Sequence, residues 1–178
     1  MNVVGPVNLE GHTKGRWLES QMNESEKAYI AGFLDGDGSI MLQFKLRKKV
    51  SYGYRAKTTI CFYQDKRNQK GIRWIQKKLK AGYLSFRQDN MAELRIEGYT
   101  RVKQILLFLK RYIVFKKKQT ELILKAIEIL QHKPSPKKFL QVCKYSDEMS
   151  KLNYATTKKK HTYASIKKDF IRRGLIPL

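Results

Sequence analysis

Ile30-Ala31-Gly32-Phe33-Leu34-Asp35-Gly36-Asp37-Gly38-Ser39-Ile40 is the stretch on which the fold of this chain turns, because the hydrophobic period changes inside it. Before it, Asn23 and Glu26 in Asn23-Glu24-Ser25-Glu26 have the spacing of a capping box, which starts a helix there. Ala28, Tyr29, Ile30, Ala31, Phe33 and Leu34 surround most of that helix, so it is expected to be buried on several sides. Gly36-Asp37-Gly38 must end it. Ala28, Gly32 and Gly36 recur four apart on one helical face. Glycine inside a helix costs about 1 kcal/mol relative to alanine. A repeated small face therefore needs a packing reason, and close backbone approach of a second helix supplies one.

Beyond Gly38 the period drops to two. Ile40, Leu42, Phe44 and Leu46 alternate with Met41, Gln43, Lys45 and Arg47, the pattern of a half-buried strand. Lys48 to Gly53 reads as a turn. The next strand places Tyr54, Ala56, Thr58, Ile60 and Phe62 on one face, and Arg55, Lys57, Thr59, Cys61 and Tyr63 on the other. A basic helix with Ile72, Ile75 and Leu79 follows, then two short strands at Tyr83–Gln88 and Met91–Glu97 joined by Asp89-Asn90. Their outward residues are Tyr83, Ser85, Arg87, Glu93 and Arg95, with Glu93 the only acid among the outward strand positions. Four strands thus share one apolar face for helices and one long-armed polar face, whose size and chemistry suit the major groove of DNA. The remainder reads as helices: Tyr99–Tyr112, Gln119–Gln131, one carrying Phe139 to Leu152 after Pro134 and Pro136, and Tyr163–Arg173 closed by Gly174. The fold class is α+β, a four-stranded antiparallel sheet in the order αββαββα with additional C-terminal helices.

The 178 residues are one domain's length, divided as an N-terminal extension over 1–22, pinned by Trp17 and Leu18, and a domain over 23–178. Lys and Arg number 38 against 15 Asp and Glu, a formal charge of +23, which points to a polyanion and most often to nucleic acid. Ten Tyr, eight Phe and two Trp argue against a disordered basic tail. No apolar run reaches the roughly 18 residues of a membrane span, and the N-terminus shows no signal-peptide pattern. Two cysteines, Cys61 and Cys143, are too few for a disulfide framework and imply an intracellular, reducing compartment, cytoplasmic or organellar. Cys61 lies on the outward strand face, where it could touch DNA, and Cys143 reads as core. His12, His132 and His161 lack metal-ligand spacing, which excludes a zinc site.

Asp37 lies where the first helix stops, between two glycines that expose a backbone carbonyl and a carboxylate together. Hard oxygen donors of this kind suit Mg²⁺. A two-fold partner would set a second Asp37 close by, giving a paired-metal site for phosphodiester hydrolysis. Read alone, Asp35-Gly36-Asp37-Gly38 is more readily a simple helix-to-strand turn, since Asp and Gly are common turn residues. Joined to the apolar helix before it and the strand after it, the segment closely resembles the LAGLIDADG homing endonuclease motif. The order of elements from about Asn23 to about Thr162 is similar to that of the family. Phe115 to Gln119, Lys138 to Cys143 and Leu152-Asn153 resemble its single-motif, group I intron-associated branch.

That resemblance implies a homodimer whose motif helices pack through Ala28, Gly32 and Gly36, with Asp35, the other motif aspartate, in a structural or dimer-interface role. It also implies a site-specific double-strand break in a long pseudo-palindromic DNA. Asp37 matches the metal-binding acid and Gly36 the carbonyl that assists it, with Mg²⁺ as cofactor and Mn²⁺ or Ca²⁺ able to occupy the same sites. Gln64 matches the pocket residue that orients the attacking water, and Lys116 the lysine that offsets charge on the scissile phosphate. Glu93 falls where the family has an acid near that lysine. A basic pocket residue is expected four places beyond Gln64, where this chain has Asn68, so Lys66 or Arg67 is the substitute. Gln43, Lys45, Arg47, Arg55, Lys57, Tyr63, Arg87 and Arg95 are the expected base or near-base contacts, and Lys158, Lys159 and Lys160 the expected phosphate contacts. Two alternatives keep the fold: an RNA-binding splicing maturase and a non-catalytic DNA-binding regulator. Only the maturase would have RNA as partner, and no reading calls for a membrane.

Overall fold

The computed structural model describes residues 22–153 and 159–177. The extension over 1–22 therefore lies outside the described residues except for Met22, which is buried in the core. Helix α1 (Glu24–Asp37) starts at the capping box read from the sequence. Asn23 Oδ1 accepts from the Glu26 N–H at 2.9 Å, and Glu26 Oε2 accepts from the Asn23 N–H at 3.2 Å. The helix ends abruptly in strand β1 (Gly38–Leu46). A Cβ on Gly38 would stand 2.7 Å from the Leu34 carbonyl oxygen and 2.8 Å from its Cα, so this corner admits only glycine.

Strand β1 pairs antiparallel with β2 (Tyr54–Asp65) through a hairpin whose Gly53 has φ +74°. A 3₁₀ turn (Lys66–Asn68) and α2 (Gln69–Leu79) lead to β3 (Tyr83–Phe86) and β4 (Met91–Glu97). The sheet order is β1-β2-β4-β3, antiparallel throughout. Asn90, in the left-handed region at φ +59°, tightens the β3–β4 turn, so β3 stops two residues before its expected end. Then come α3 (Tyr99–Leu109), a 3₁₀ turn (Lys110–Tyr112), α4 (Lys117–Gln131), α5 (Pro136–Leu152) and α6 (Tyr163–Arg172).

One sheet face carries Ile40, Leu42, Phe44, Ala56, Ile60, Phe62, Leu94 and Ile96, and all of them are buried. Side chains of α3 to α6, among them Ile105, Ile123, Val142 and Phe170, complete the same core. Each such side chain contributes roughly 1.5–3 kcal/mol on burial. Phe139 of α5 sits 5.5 Å from Phe44 and 5.9 Å from Phe170, centroid to centroid, which ties the two C-terminal helices to the first strand. Helices thus cover one face and leave the opposite face open. On that face the registers align Ser39 with Cys61 and Arg95, Gln43 with Lys57, and Lys45 with Arg55.

Candidate functional site

Two carboxylates sit in the last turn of α1, where helix dipole and unpaired carbonyls make the field negative, and no basic residue in that turn offsets them. They meet opposite fates. Asp35 is buried, and its Oδ2 accepts from the Val114 N–H at 2.6 Å and the Phe115 N–H at 3.1 Å. Its Oδ1 accepts from the Lys116 N–H at 3.0 Å. Asp35 therefore holds the segment before α4 rather than facing outward as an interface residue. Asp37 is exposed, and among the described residues it has no hydrogen bond or ion pair. An acid at a helix C-terminus signals in sequence that compensation is needed; only the fold reveals which acid receives it from the chain.

Asp37 lines an open pocket of about 290 Å³ with Gly36, Gly38, Tyr63, Gln64 and Met91. Gln64 reaches it from the end of β2, and its Oε1 accepts from the Asp65 N–H at 2.9 Å, so the amide NH₂ is the end it can offer. Lys116 does not line that pocket but stands at the same helix end, its ammonium donating to the Asp35 carbonyl oxygen. Burial holds that ammonium below the ordinary lysine pKa, opposed by the negative charges of Asp35 and Asp37. The structure thus gathers Gly36, Asp37, Gln64 and Lys116 around one helix end. Met91 joins them without having been singled out in the sequence.

The other expected pocket residues stand apart. Arg67 is committed to Asp65, with Nε 2.9 Å and Nη2 3.0 Å from the two carboxylate oxygens. Lys66 lies over the Phe86 ring at 5.5 Å, and Asn68 is exposed ahead of α2 with no capping bond. No hydrogen bond or ion pair joins Glu93 to Lys116 among the described residues. Glu93 is instead buried on the sheet, accepting from Arg95 Nε at 2.6 Å and from the Cys61 thiol at 3.7 Å.

The exposed sheet face also departs from its sequence reading. Glu97 is a second acid there, opposite Thr59 and paired with Lys57 at 2.6 Å and with Arg95 at 3.8 Å. Cys61 is fully buried beneath its neighbours rather than open to a ligand, and burial pushes its thiol up to about 11. Tyr63, also lifted by burial to about 12, shares a hydrogen bond of 3.1 Å with Ser39. Arg87 pairs with Asp89 at 2.8 Å, whereas Gln43, Lys45, Arg47 and Arg55 are exposed. Lys158 lies outside the described residues, and Lys160 is exposed. Lys159 is half-buried, its ammonium donating to the Ser146 carbonyl and, at 2.9 Å, to Ser146 Oγ; it is a structural clamp rather than a free cation.

On α1, Ala28, Tyr29, Gly32 and Gly36 are exposed, and a Cβ at either glycine would meet nothing within 4 Å. The adjoining segment presents Val114 and Phe115, 70% and 82% exposed. This is a narrow small-residue ridge with bulky apolar side chains beside it.

Among known proteins, the family described as LAGLIDADG endonuclease matches residues 30–130. DNA endonuclease I-CreI of Chlamydomonas reinhardtii is 33% identical over 147 residues, which span 80% of this chain and 87% of the relative. DNA endonuclease I-CvuI of Chlorella vulgaris is 29% identical over 125 residues, 70% of this chain and 78% of the relative. The crystal structure of I-CvuI in complex with its target in the presence of Ca superposes with a TM-score of 0.80 at 24% identity, covering 85% of this chain and 96% of that one. The archaeal intron-encoded homing endonuclease I-Vdi141I, complexed with DNA, gives 0.75 at 19% identity over 86% and 99%. Both structures share this fold.

Proposed function

The chain belongs to the LAGLIDADG endonuclease family, and from that premise we propose that it is a homodimeric, divalent-metal-dependent endonuclease that cuts both strands of a long, nearly palindromic DNA site. The observation that carries this is Asp37: an exposed carboxylate at the negative end of a helix, beside a glycine carbonyl, with no hydrogen bond or ion pair among the described residues. Hard oxygen donors lacking a cation fit Mg²⁺, which is commonly held by one or two carboxylates with water and phosphate completing the shell. No cluster of three His, Cys, Asp or Glu side chains able to hold a metal occurs among the described residues. One chain's Asp37 and Gly36 carbonyl would then supply part of the shell, and the partner's motif helix and the DNA phosphate the rest. A bound Mg²⁺ supplies charge neutralisation at phosphate and a more acidic water.

The chain's own residues do the remainder. Gln64 donates its amide N–H to the oxygen of the attacking water and orients it towards phosphorus. Lys116 uses one ammonium N–H on the Asp35 carbonyl and has two left for a phosphate oxygen, where negative charge grows as the P–O bond breaks. The open sheet face lies in the major groove of one half-site, and the Ala28–Gly32–Gly36 ridge of α1 packs against its two-fold copy.

Cleavage of the intron-free DNA at the gene's own locus, in Mg²⁺, tests the proposal with wild type and Asp37→Asn. Site-specific double-strand cleavage by wild type alone, with DNA binding kept by the variant, is the expected result. Specific binding by wild type without any cleavage in Mg²⁺ would overturn it and favour a splicing or regulatory role.

A further inference from the structure

We infer that Lys45 and Arg55 form a guanine-reading pair at the outer end of each DNA half-site, with Arg47 beside them; this rests on the proposed binding of DNA in the major groove. The cations of the exposed sheet face fall into two sets. Near the middle of the sheet they are neutralised within the chain: Arg95 by Glu93 at 2.5 Å and by Glu97, and Lys57 by Glu97 at 2.6 Å. Arg87, at the β3–β4 turn, has Asp89. At the outer end, Lys45, Arg47 and Arg55 are exposed and form no ion pair among the described residues. They line one cavity of about 410 Å³, with Lys57, Glu97 and Tyr99 on its other walls.

Lys45 is the direct cross-strand partner of Arg55, so two positive side chains rise from opposed positions of one face. Like charges directly opposite in a sheet are destabilising. The free chain keeps this repulsion where it has removed it elsewhere, which marks a place whose counter-charge comes from a ligand. In the major groove, the edge that takes Arg and Lys is guanine, through O6 and N7. Phosphate is the competing acceptor. Position favours the base: Arg55 stands on β2, an inner strand of the order β1-β2-β4-β3, so its guanidinium rises from the face rather than the margin. Gln43, one pleat inward and exposed, adds amide chemistry suited to base edges.

The distance is fixed by the strand. Lys45 lies eight residues beyond Asp37 along β1. At ~3.3 Å per strand residue and ~3.4 Å per base pair, that is about eight base pairs from the centre of symmetry, where the two Asp37 carboxylates meet.

Selection of binding sites from randomised duplex DNA with the full chain, at fixed salt, tests the inference without any cleavage readout. The selected sites are expected to carry guanine about eight base pairs from their centre in both halves. In both half-sites Arg55→Gln is expected to shift a guanine position towards adenine, and Lys45→Ala to relax a neighbouring one, each changing discrimination by roughly ten- to hundredfold. Because each variant removes one of two facing like charges, neither is expected to melt below wild type. The inference falls if the outer positions show no guanine. It falls also if both variants weaken all sequences equally and lower the salt slope by about one, the signature of phosphate contacts. A selection that recovers no specific site overturns the DNA-binding reading itself, and this inference with it.

Discussion

Asp35 and Lys116 are joined twice: the Asp35 carboxylate accepts the Lys116 backbone N–H at 3.0 Å, and the Asp35 carbonyl accepts the same residue's ammonium. One aspartate at the end of α1 thereby fixes both the path of the chain into α4 and the direction of the lysine beside Asp37. The motif helix therefore carries more than its exposed acid. Its buried acid anchors the segment that carries Lys116.

Asp35→Ala is expected to remove three charge-assisted hydrogen bonds and leave their donors unpaired. Such bonds are worth about 1.5–3 kcal/mol each, but they share one loop and do not add. A net loss of about 3 kcal/mol lowers the melting temperature by roughly 6–12 °C in a chain of this size. Asp35→Asn keeps one acceptor oxygen and is expected to lose less. Both variants should lower the cleavage rate even at temperatures where they stay folded, because the backbone that carries Lys116 loses its carboxylate anchor while the ammonium keeps only the Asp35 carbonyl. Calorimetry and single-turnover cleavage check the two effects; a rate equal to wild type in folded Asp35→Ala would show that Lys116 needs no such anchor.

Gly32→Leu separates a dimer face from a merely exposed helix. A Cβ at Gly32 meets nothing within 4 Å among the described residues, and glycine is about 0.8–1 kcal/mol worse than alanine inside a helix, with leucine close behind alanine. A lone chain should be as stable as wild type or slightly more so. A pair of chains packed backbone to backbone should fall apart. Sedimentation is expected to give the dimer mass for wild type and half of it for Gly32→Leu, with cleavage lost. An unchanged dimer mass would place the interface elsewhere.

Most of the fold was legible because it is written in periods and caps. The capping box at Asn23, the change from 3.6 to 2 at Gly38, and the alternation through β1 and β2 are local signals, and the elements follow them. The αββαββα order followed from the family resemblance, as did the choice of Gly36, Asp37 and Gln64, which line one pocket, and of Lys116, which bonds the same helix end. What was not legible depends on contacts between distant residues. Nothing near Lys159 announces Ser146 and Asp147, and nothing near Glu97 announces Lys57. Cys61 alternates correctly onto the open face, yet its neighbours on β1 and β4 cover it completely. Period decides which face a residue takes; side-chain packing decides whether that face is wet.

The two cysteines give a pH prediction with a definite sign. Burial raises Cys61 from 9.0 to about 11 and Cys143 from 9.0 to about 12. At pH 8 neither thiol of the folded chain should react with a disulfide reagent, whereas both should react after denaturation, because the thiolate is the nucleophile. Raised pKa values mean that the folded state holds these protons longer than the unfolded one. The stability they contribute is complete below pH 9.0 and is lost as pH rises through about 11 to 12. Denaturant midpoints measured from pH 8 to 11 should therefore fall. Rapid labelling of the native protein at pH 8 would contradict the burial of both sites.

Lys159 and Lys160 should behave as different kinds of residue although they are neighbours in a basic run. The Lys159 ammonium donates to Ser146 twice and faces Asp147 at 3.6 Å, while Ser146 Oγ donates to the Leu42 carbonyl at 2.7 Å, so one lysine links the start of the last segment to α5 and β1. Burial lowers its pKa, opposed by Asp147. Lys159→Ala strands these acceptors and is expected to lower stability by about 1–3 kcal/mol. It should leave the salt dependence of DNA binding unchanged, since a clamped ammonium neutralises no phosphate. Lys160 is exposed, and Lys160→Ala is expected to keep wild-type stability while reducing the slope of log affinity against log salt by about 0.9 if it meets one phosphate. Binding titrations between 50 and 200 mM salt, about the range over which phosphate contacts are felt, together with melting curves, resolve the pair. A reduced salt slope in Lys159→Ala with an unchanged melting temperature would return Lys159 to the DNA surface.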